Sequence, residues 1–351
     1  MKITKKFAFM LMSGILLLSA CGNAPSKTNS LPNNTPVSSS SLSTKKEKVT
    51  LVQSTAGFLF SAIYVAKGKG FFEEEGLDVE VTIAGGSPKV ISAVAGGGAQ
   101  IGATGLSVVM DVNGKGQNIQ AFASLINQYA SNIVIRKDVA AKLGINENSP
   151  IDQKIKALKG LSIGINTPGS GNDKLVRYLL KSQNINPDKD VNLVPLGNAE
   201  AFFPAFANNQ IQAFCFSSPT SDTAASSDIG MMLINLSKGE VKELDGFSHS
   251  VLLAKQDFIA KNPELVQKIT NAIGKAEKYI AEDKMGAKEI LRKSFSDLDA
   301  KVFDVAFENN YGAFAKKTAI TKKGYEMNVT FEGIDIPFDK VVVNKFADAV
   351  K

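Results

Sequence analysis

Short apolar stretches that end in small polar residues, each followed by a segment with helical spacing, constrain this chain more than any other feature. Strands are predicted over 49–53, 79–83, 100–103 and 119–125, with helices over 61–69, 87–94 and 106–113 between them. A second set follows, with strands over 132–135, 162–165, 191–195, 211–216, 231–234 and 250–254, and helical stretches over 154–158, from 172, over 199–208 and over 221–226. Strand and helix alternating at such short intervals imply right-handed βαβ units and mostly parallel sheets. Beyond Pro263 the pattern turns helical, with Val266, Ile269, Ile273 and Ala276 on one face. No repeat of fixed period is present, only two similar α/β halves.

Within the second set, Ser162-Ile-Gly-Ile-Asn-Thr-Pro-Gly-Ser-Gly-Asn-Asp-Lys-Leu175 reads as a strand, a Pro/Gly turn and the first turn of a helix. Thr167, Ser170 and Asn172 can cap that helix, and Gly169 and Gly171 let backbone N–H groups approach a ligand closely. A helix N-terminus carries unpaired donors and partial positive charge, so it favours anions or acceptor oxygens. An isolated turn of this kind is equally at home in any α/β scaffold.

The first residues form a targeting segment: Lys2, Lys5 and Lys6, then the apolar run 7–18, then small residues. As a helix, that run reaches about 18 Å, short of the roughly 30 Å hydrocarbon core, so it reads as a signal peptide and not a span. It ends Leu18-Ser19-Ala20-Cys21-Gly22, which resembles the bacterial lipoprotein signal. That resemblance implies lipid on Cys21, removal of what precedes it, and an exported protein tethered to the outer face of the cell membrane or the periplasmic side of an envelope membrane. Residues 22–48, rich in Ser, Thr, Asn and Pro, are predicted to be a disordered leash with a reach of about 30 Å.

With Cys21 lipidated, Cys215 stands alone, so no intramolecular disulfide holds the body together. Burial must do so, and with 44% apolar residues overall the length after the leash suffices for two α/β domains. The net charge of +6 is spread among acids without a basic stripe, which argues against nucleic acid as a partner. A single histidine and no cysteine cluster make a zinc site built by the protein unexpected, and no P-loop or cofactor motif is present.

Tyr64-Val-Ala-Lys-Gly-Lys-Gly-Phe-Phe-Glu-Glu-Glu-Gly-Leu-Asp-Val-Glu80 resembles the signature of the solute-binding proteins that feed ABC importers for nitrate, sulfonates, taurine and thiamin-precursor pyrimidines. Gly85-Gly-Ser87, Gln100-Ile-Gly-Ala-Thr-Gly105, the stretch 158–175 and Ala207-Asn-Asn-Gln-Ile-Gln-Ala213 are similar to that family in the same order, over about 49–262. By residue chemistry alone, Phe71 and Phe72 belong in a core, Glu73 to Glu75 in solvent, and Gly68, Gly70 and Gly76 in turns.

The resemblance implies the type II periplasmic-binding-protein fold: two α/β lobes around a cleft, joined by two crossing segments near 127–132 and 245–250. Lobe 1 would comprise 49–130 plus 248–351, and lobe 2 would comprise 131–247. It further implies ligand contacts from Phe58 and Phe60, Gly86 and Ser87, Thr104 and Gly105, and Thr167, Ser170, Gly171 and Asn172, with Thr104, Ser170 and Asn172 as hydrogen-bonding groups. Phe58 and Phe60 either cover an apolar ligand body or pack their own loop. Ser217 and Ser218 end a strand before Pro219, and His249 lies at the second crossing as a ligand contact or a structural residue.

Relatives tend to carry an aromatic and an acidic residue before that proline. Here there is no carboxylate, and the chain has no Trp, so a simple organic anion such as a sulfonate or carboxylate fits better than taurine or a thiamin precursor. The implied partners are a small-molecule ligand, a membrane permease with its ATPase, and the membrane through the N-terminal lipid, the protein itself being a monomer without cofactor. Two other readings use the same fold: a thiol enzyme with Cys215 as nucleophile and His249 as base, which needs the two within hydrogen-bond reach, or a lipoprotein adhesin or sensor component.

Overall fold

The computed structural model describes residues 45–350. The signal segment, Cys21 and the leash up to residue 44 lie outside the described residues. Order begins inside the region read as leash, because Glu47 and Lys48 already pair with Leu77 and Asp78.

Chain order builds one sheet, then a second, then returns to the first. The first part runs β1 (Glu47–Gln53), α1 (Ser61–Lys69), β2 (Leu77–Ile83), α2 (Ser87–Ala95), β3 (Ile101–Gly105), α3 (Leu106–Gly114) and β4 (Ile119–Ile126). Then come β5 (Ser131–Arg136), β6 (Ser162–Ile165), α4 (Gly171–Ser182), β7 (Asn192–Pro195), β8 (Ala213–Ser217), α5 (Thr220–Ala225) and β9 (Gly230–Ile234). The chain closes with β10 (Ser250–Lys255), α6 (Pro263–Glu282), α7 (Lys284–Ser294), α8 (Ala300–Asn310) and α9 (Lys322–Glu332).

The sheets are each five-stranded, in the orders β2-β1-β3-β10-β4 and β7-β6-β8-β5-β9. They share one plan. In each, the first strand after a crossing inserts antiparallel between two others: β10 between β3 and β4, and β5 between β8 and β9. The remaining described pairings, of β1 with β2 and β3 and of β6 with β7 and β8, are parallel. The crossings are residues 127–130, between β4 and β5, and the stretch before β10.

Strands buried on both faces explain the apolar runs, such as Ile119–Ile126, in which every residue is buried. The first sheet is covered on one face by α1 and α6 to α8, around Leu51, Phe122 and Leu252, and on the other by α2 and α3, around Val52, Val90 and Leu253. Gly68 does not serve a turn. It lies inside α1, where an added Cβ would come 2.5 Å from Ile290 Cγ2, so it allows α1 and α7 to pack closely. Gly70 and Gly76 do occupy the left-handed region, with φ of 74° and 75°.

The C-terminal helices reach the cores of both sheets. Phe303 and Phe307 of α8 sit in the first sheet's core, while Met327 and Phe331 of α9 pack against the core of the second.

Candidate functional site

In open α/β sheets ligands sit beyond the carboxyl ends of the strands, and here those ends face each other across the crossings. Three helices begin there. α2 starts at Gly86, α3 at Gly105 and α4 at Ser170. Their first turns are linked through close neighbours: a Cβ on Gly86 would stand 3.0 Å from both Asn166 Oδ1 and Thr167 Oγ1, and one on Gly171 3.9 Å from His249 Nε2. The N–H of Leu106, opening α3, donates to His249 O at 2.9 Å.

The lobes touch directly. Phe58 N–H, in the loop after β1, donates to Ser218 O at 2.9 Å, and a Cβ on Gly57 would stand 2.8 Å from that same oxygen. Beside this contact a groove of 390 Å³ runs between Ala56, Phe203, Pro219, Thr220 and Phe295.

Four polar atoms at these strand ends are buried without a hydrogen-bond partner: Gln53 Oε1, Thr104 Oγ1, Thr167 Oγ1 and Ser250 Oγ. An orphaned buried polar group costs about 1–3 kcal/mol, so each such atom marks a place where an incoming group can supply the missing partner. Pairing registers divide the set. Thr104 stands opposite Val251, whereas Ser250 stands opposite Gly105 and Gln53 opposite Ala103. Alternation along the strands therefore puts Thr104 on the face covered by α2 and α3, whose first turns carry the buried Ser87 and Ser107, and puts Gln53 and Ser250 on the other face.

Several predicted contacts are engaged elsewhere. The Phe58 and Phe60 rings are in the core, and Phe58 packs edge-on against Phe295 and Phe303 at centroid distances of 5.1 and 5.8 Å. Both rings pack their own loop against the core. Ser170 Oγ accepts from Asp173 N–H and caps α4, while Asn172 Nδ2 donates to Cys215 O at 2.6 Å. Ser218 Oγ donates to Asp222 and accepts from Asn310 Nδ2. Ser217 is buried, with its Oγ 3.2 Å from where a Cβ on Gly57 would stand.

His249 is buried at the second crossing and stacked on Tyr129 of the first, 4.1 Å between centroids. Its Nδ1 accepts from Ala130 N–H at 3.0 Å, so the neutral ring carries its hydrogen on Nε2, toward Gly171. Burial disfavours the charged ring and lowers its pKa from 6.5 to about 3. Tyr129 Oη donates to Gly171 O at 2.8 Å, so the crossings are tied to the opening of α4.

Gln53 and Ser250 were missed from the sequence. The available signal was a polar residue at the end of an otherwise apolar strand, as in Val49-Thr-Leu-Val-Gln53. Lys89 was missed as well; its Nζ lies 3.7 Å from where a Cβ on Gly85 would stand. Among the described residues no cluster of three or more His, Cys, Asp or Glu could hold a metal ion.

The architecture is that of periplasmic binding proteins, with a TM-score of 0.62 to the aliphatic sulphonate binding protein SsuA from Escherichia coli, at 16% identity, covering 82% of this chain and 91% of that one. The profile of the NMT1-like family matches residues 55–294, and the chain belongs to that family. It is 26% identical over 318 residues to the putative binding protein YtlA of Bacillus subtilis, covering 86% of this chain and 90% of YtlA. It is 30% identical over 275 residues to the nitrate/nitrite binding protein NrtA of Nostoc, covering 74% of this chain and 60% of NrtA.

Proposed function

We propose that this chain is an extracytoplasmic solute-binding lipoprotein that captures a small organic anion, or a related oxyanion of the nitrate or sulfonate kind, and delivers it to an ABC permease and its ATPase. One observation carries the reading: orphaned hydroxyls of Thr104 and Thr167, from opposite lobes, sit where three helices begin. Hydroxyls and helix N-termini both present donors, and oriented helix ends favour negative charge without a cationic side chain in contact. Lys89 near the mouth adds long-range attraction for an anion. The relatives named for nitrate and for aliphatic sulphonate agree with this class of ligand. Closure of the lobes over the ligand would create the surface that the permease reads. Lipid on Cys21 would hold the protein, as a monomer, at the membrane.

The thiol-enzyme reading has little physical support. Cys215 lies buried in β8, and burial pushes its thiol well above the ordinary range, whereas a nucleophile needs the thiolate. His249 Nδ1 is taken by Ala130 N–H.

The test is calorimetric titration of the full chain with nitrate, bicarbonate, methanesulfonate, longer alkanesulfonates, taurine and short carboxylates. Saturable binding of at least one anion, weakened in Thr104→Val, is expected. Binding of cationic or neutral solutes alone would sink the anion assignment, and turnover of any of them would revive the enzyme.

A further inference from the structure

Lobe 2 is also fastened to the rest of the molecule by a charge pair. Lys174, in the second turn of α4, donates from Nζ to Glu332 Oε2 at 2.5 Å, at the end of α9. The same ammonium donates to Ser107 O at 3.3 Å and lies 4.0 Å from Asp111 Oδ2, both on α3 of lobe 1. The two side chains of the pair are only 13% and 7% exposed. One turn further along α4, the Tyr178 ring packs on Phe331 at 4.9 Å, which extends the contact with apolar surface.

α9 is anchored on lobe 1, although Met327 and Phe331 also pack against the core of the second sheet. It packs on α3, with Tyr325 in the core between the first sheet and α3, and Asn328 Nδ2 donates to Ser248 O at 3.0 Å. Lys174 therefore meets Glu332 and Ser107 only while the lobes are together.

We propose that Lys174 and Glu332 form an interlobe clasp that holds the closed arrangement and so sets part of the ligand affinity through the population of closed molecules. The physical logic is that of a shielded ion pair. Removing Lys174 leaves the Glu332 carboxylate shut away from water, removing Glu332 leaves the ammonium with only the more distant Asp111, and opening is a route to rehydrate the stranded charge. Removing both eliminates that drive. The pattern expected is thus non-additive: a single substitution opens the lobes, and the double substitution closes them again. A binding-competent state that is less populated lowers apparent affinity in proportion.

The molecule supplies its own reporter. Phe58 N–H donates across the cleft to Ser218 O, so its hydrogen exchange follows separation of the lobes, while amides in β4 and β8 follow unfolding of each lobe. The experiment is hydrogen exchange on the ligand-free full chain, comparing Lys174→Met, Glu332→Met and the variant that combines them. Each single variant should speed exchange at Phe58 by at least about fivefold, the low end of a typical coupling, with β4 and β8 unchanged and the double variant returned toward the parent. Unchanged exchange at Phe58 would overturn the clasp, as would equal acceleration at Phe58, β4 and β8 that the double variant does not reverse. Because no ligand is added, failure here leaves the solute-binding reading untouched.

Discussion

The carboxyl edges of the two sheets are built on one plan but use their polar residues differently. On lobe 1, Gln53 Oε1, Thr104 Oγ1 and Ser250 Oγ are buried without partners. On lobe 2, Ser170, Asn172 and Ser218 already bond to Asp173 N–H, Cys215 O and Asp222, and among these turn residues Thr167 alone keeps an orphaned oxygen. The first edge keeps hydrogen-bonding capacity unspent, while the second spends its hydroxyls on shaping its own turn. Residue type at a loop therefore says little about binding until the local hydrogen bonds are counted.

The largest expected effect follows from the open set. Thr→Val keeps shape and removes a hydroxyl that has no partner in the structure, so Thr104→Val and Thr167→Val should leave thermal stability unchanged or raised. Each should weaken binding of the anion identified by titration by roughly 10- to 100-fold, as for loss of a hydrogen bond to a charged group, about 1.5–3 kcal/mol. Loss of stability in parallel with affinity would show that the hydroxyls are structural and would erase the contrast between the edges.

Glu277 provides the control, being an orphaned group remote from both edges. It is buried in α6 with neither carboxylate oxygen partnered, and burial pushes its pKa well above 4.5. The folded state keeps a proton that the unfolded chain releases above pH 4.5, so this residue's contribution to stability declines as pH rises through that value. Glu277→Gln should raise the unfolding free energy at pH 7 by about 1–3 kcal/mol and change it little near pH 4. Ligand affinity should not move. Urea unfolding at the two pH values decides the matter; a gain independent of pH would mean that the carboxyl titrates in the folded state as it does in the unfolded chain.

His249 lies between the edges, and its sign is opposite. With a folded pKa of about 3 against 6.5, the unfolded chain takes up a proton below pH 6.5 that the folded ring refuses. Stability from this group is intact above pH 6.5 and lost as pH falls, by about 2 kcal/mol at pH 5. The difference in unfolding free energy between the parent and His249→Asn should shift by that amount between pH 7 and pH 5. A constant difference would mean that the ring is hydrated and free to titrate, and that the crossings are looser than the stack on Tyr129 implies.

Much of the scaffold was legible because alternation of apolar strands with helical segments is a local property, readable within a few residues of each element. The loops at 85–87 and 104–105 were picked out by the family resemblance, and the turn at 167–172 by its own proline, glycines and capping residues. Engagement of the side chains was not. Phe58 is committed by Phe295 and Phe303, Gly68 by Ile290, and Lys174 by Glu332, and each partner lies far along the chain. Ser170 shows how one residue supports both readings: a serine at the start of a helix is a cap and a donor at once, and the bond to Asp173 N–H decides which.

Ser170→Ala is accordingly the smallest of the expected effects and the most discriminating. Ser170 Oγ accepts from Asp173 N–H, Asp173 Oδ2 accepts from Gly169 N–H at 2.8 Å, and Arg177 holds the other carboxylate oxygen at 2.7 Å. Removing the hydroxyl frees the Asp173 N–H at a buried helix start and should cost about 1 kcal/mol of stability, typical of a lost N-cap. The carboxylate and the backbone of the turn remain in place, so anion affinity should change by less than about threefold. Ser170→Thr, which keeps a capping oxygen, should recover most of the stability. If affinity instead falls as far as in Thr104→Val while stability holds, lobe 2's edge is as open as lobe 1's, and ligand binding requires the α4 cap to be released.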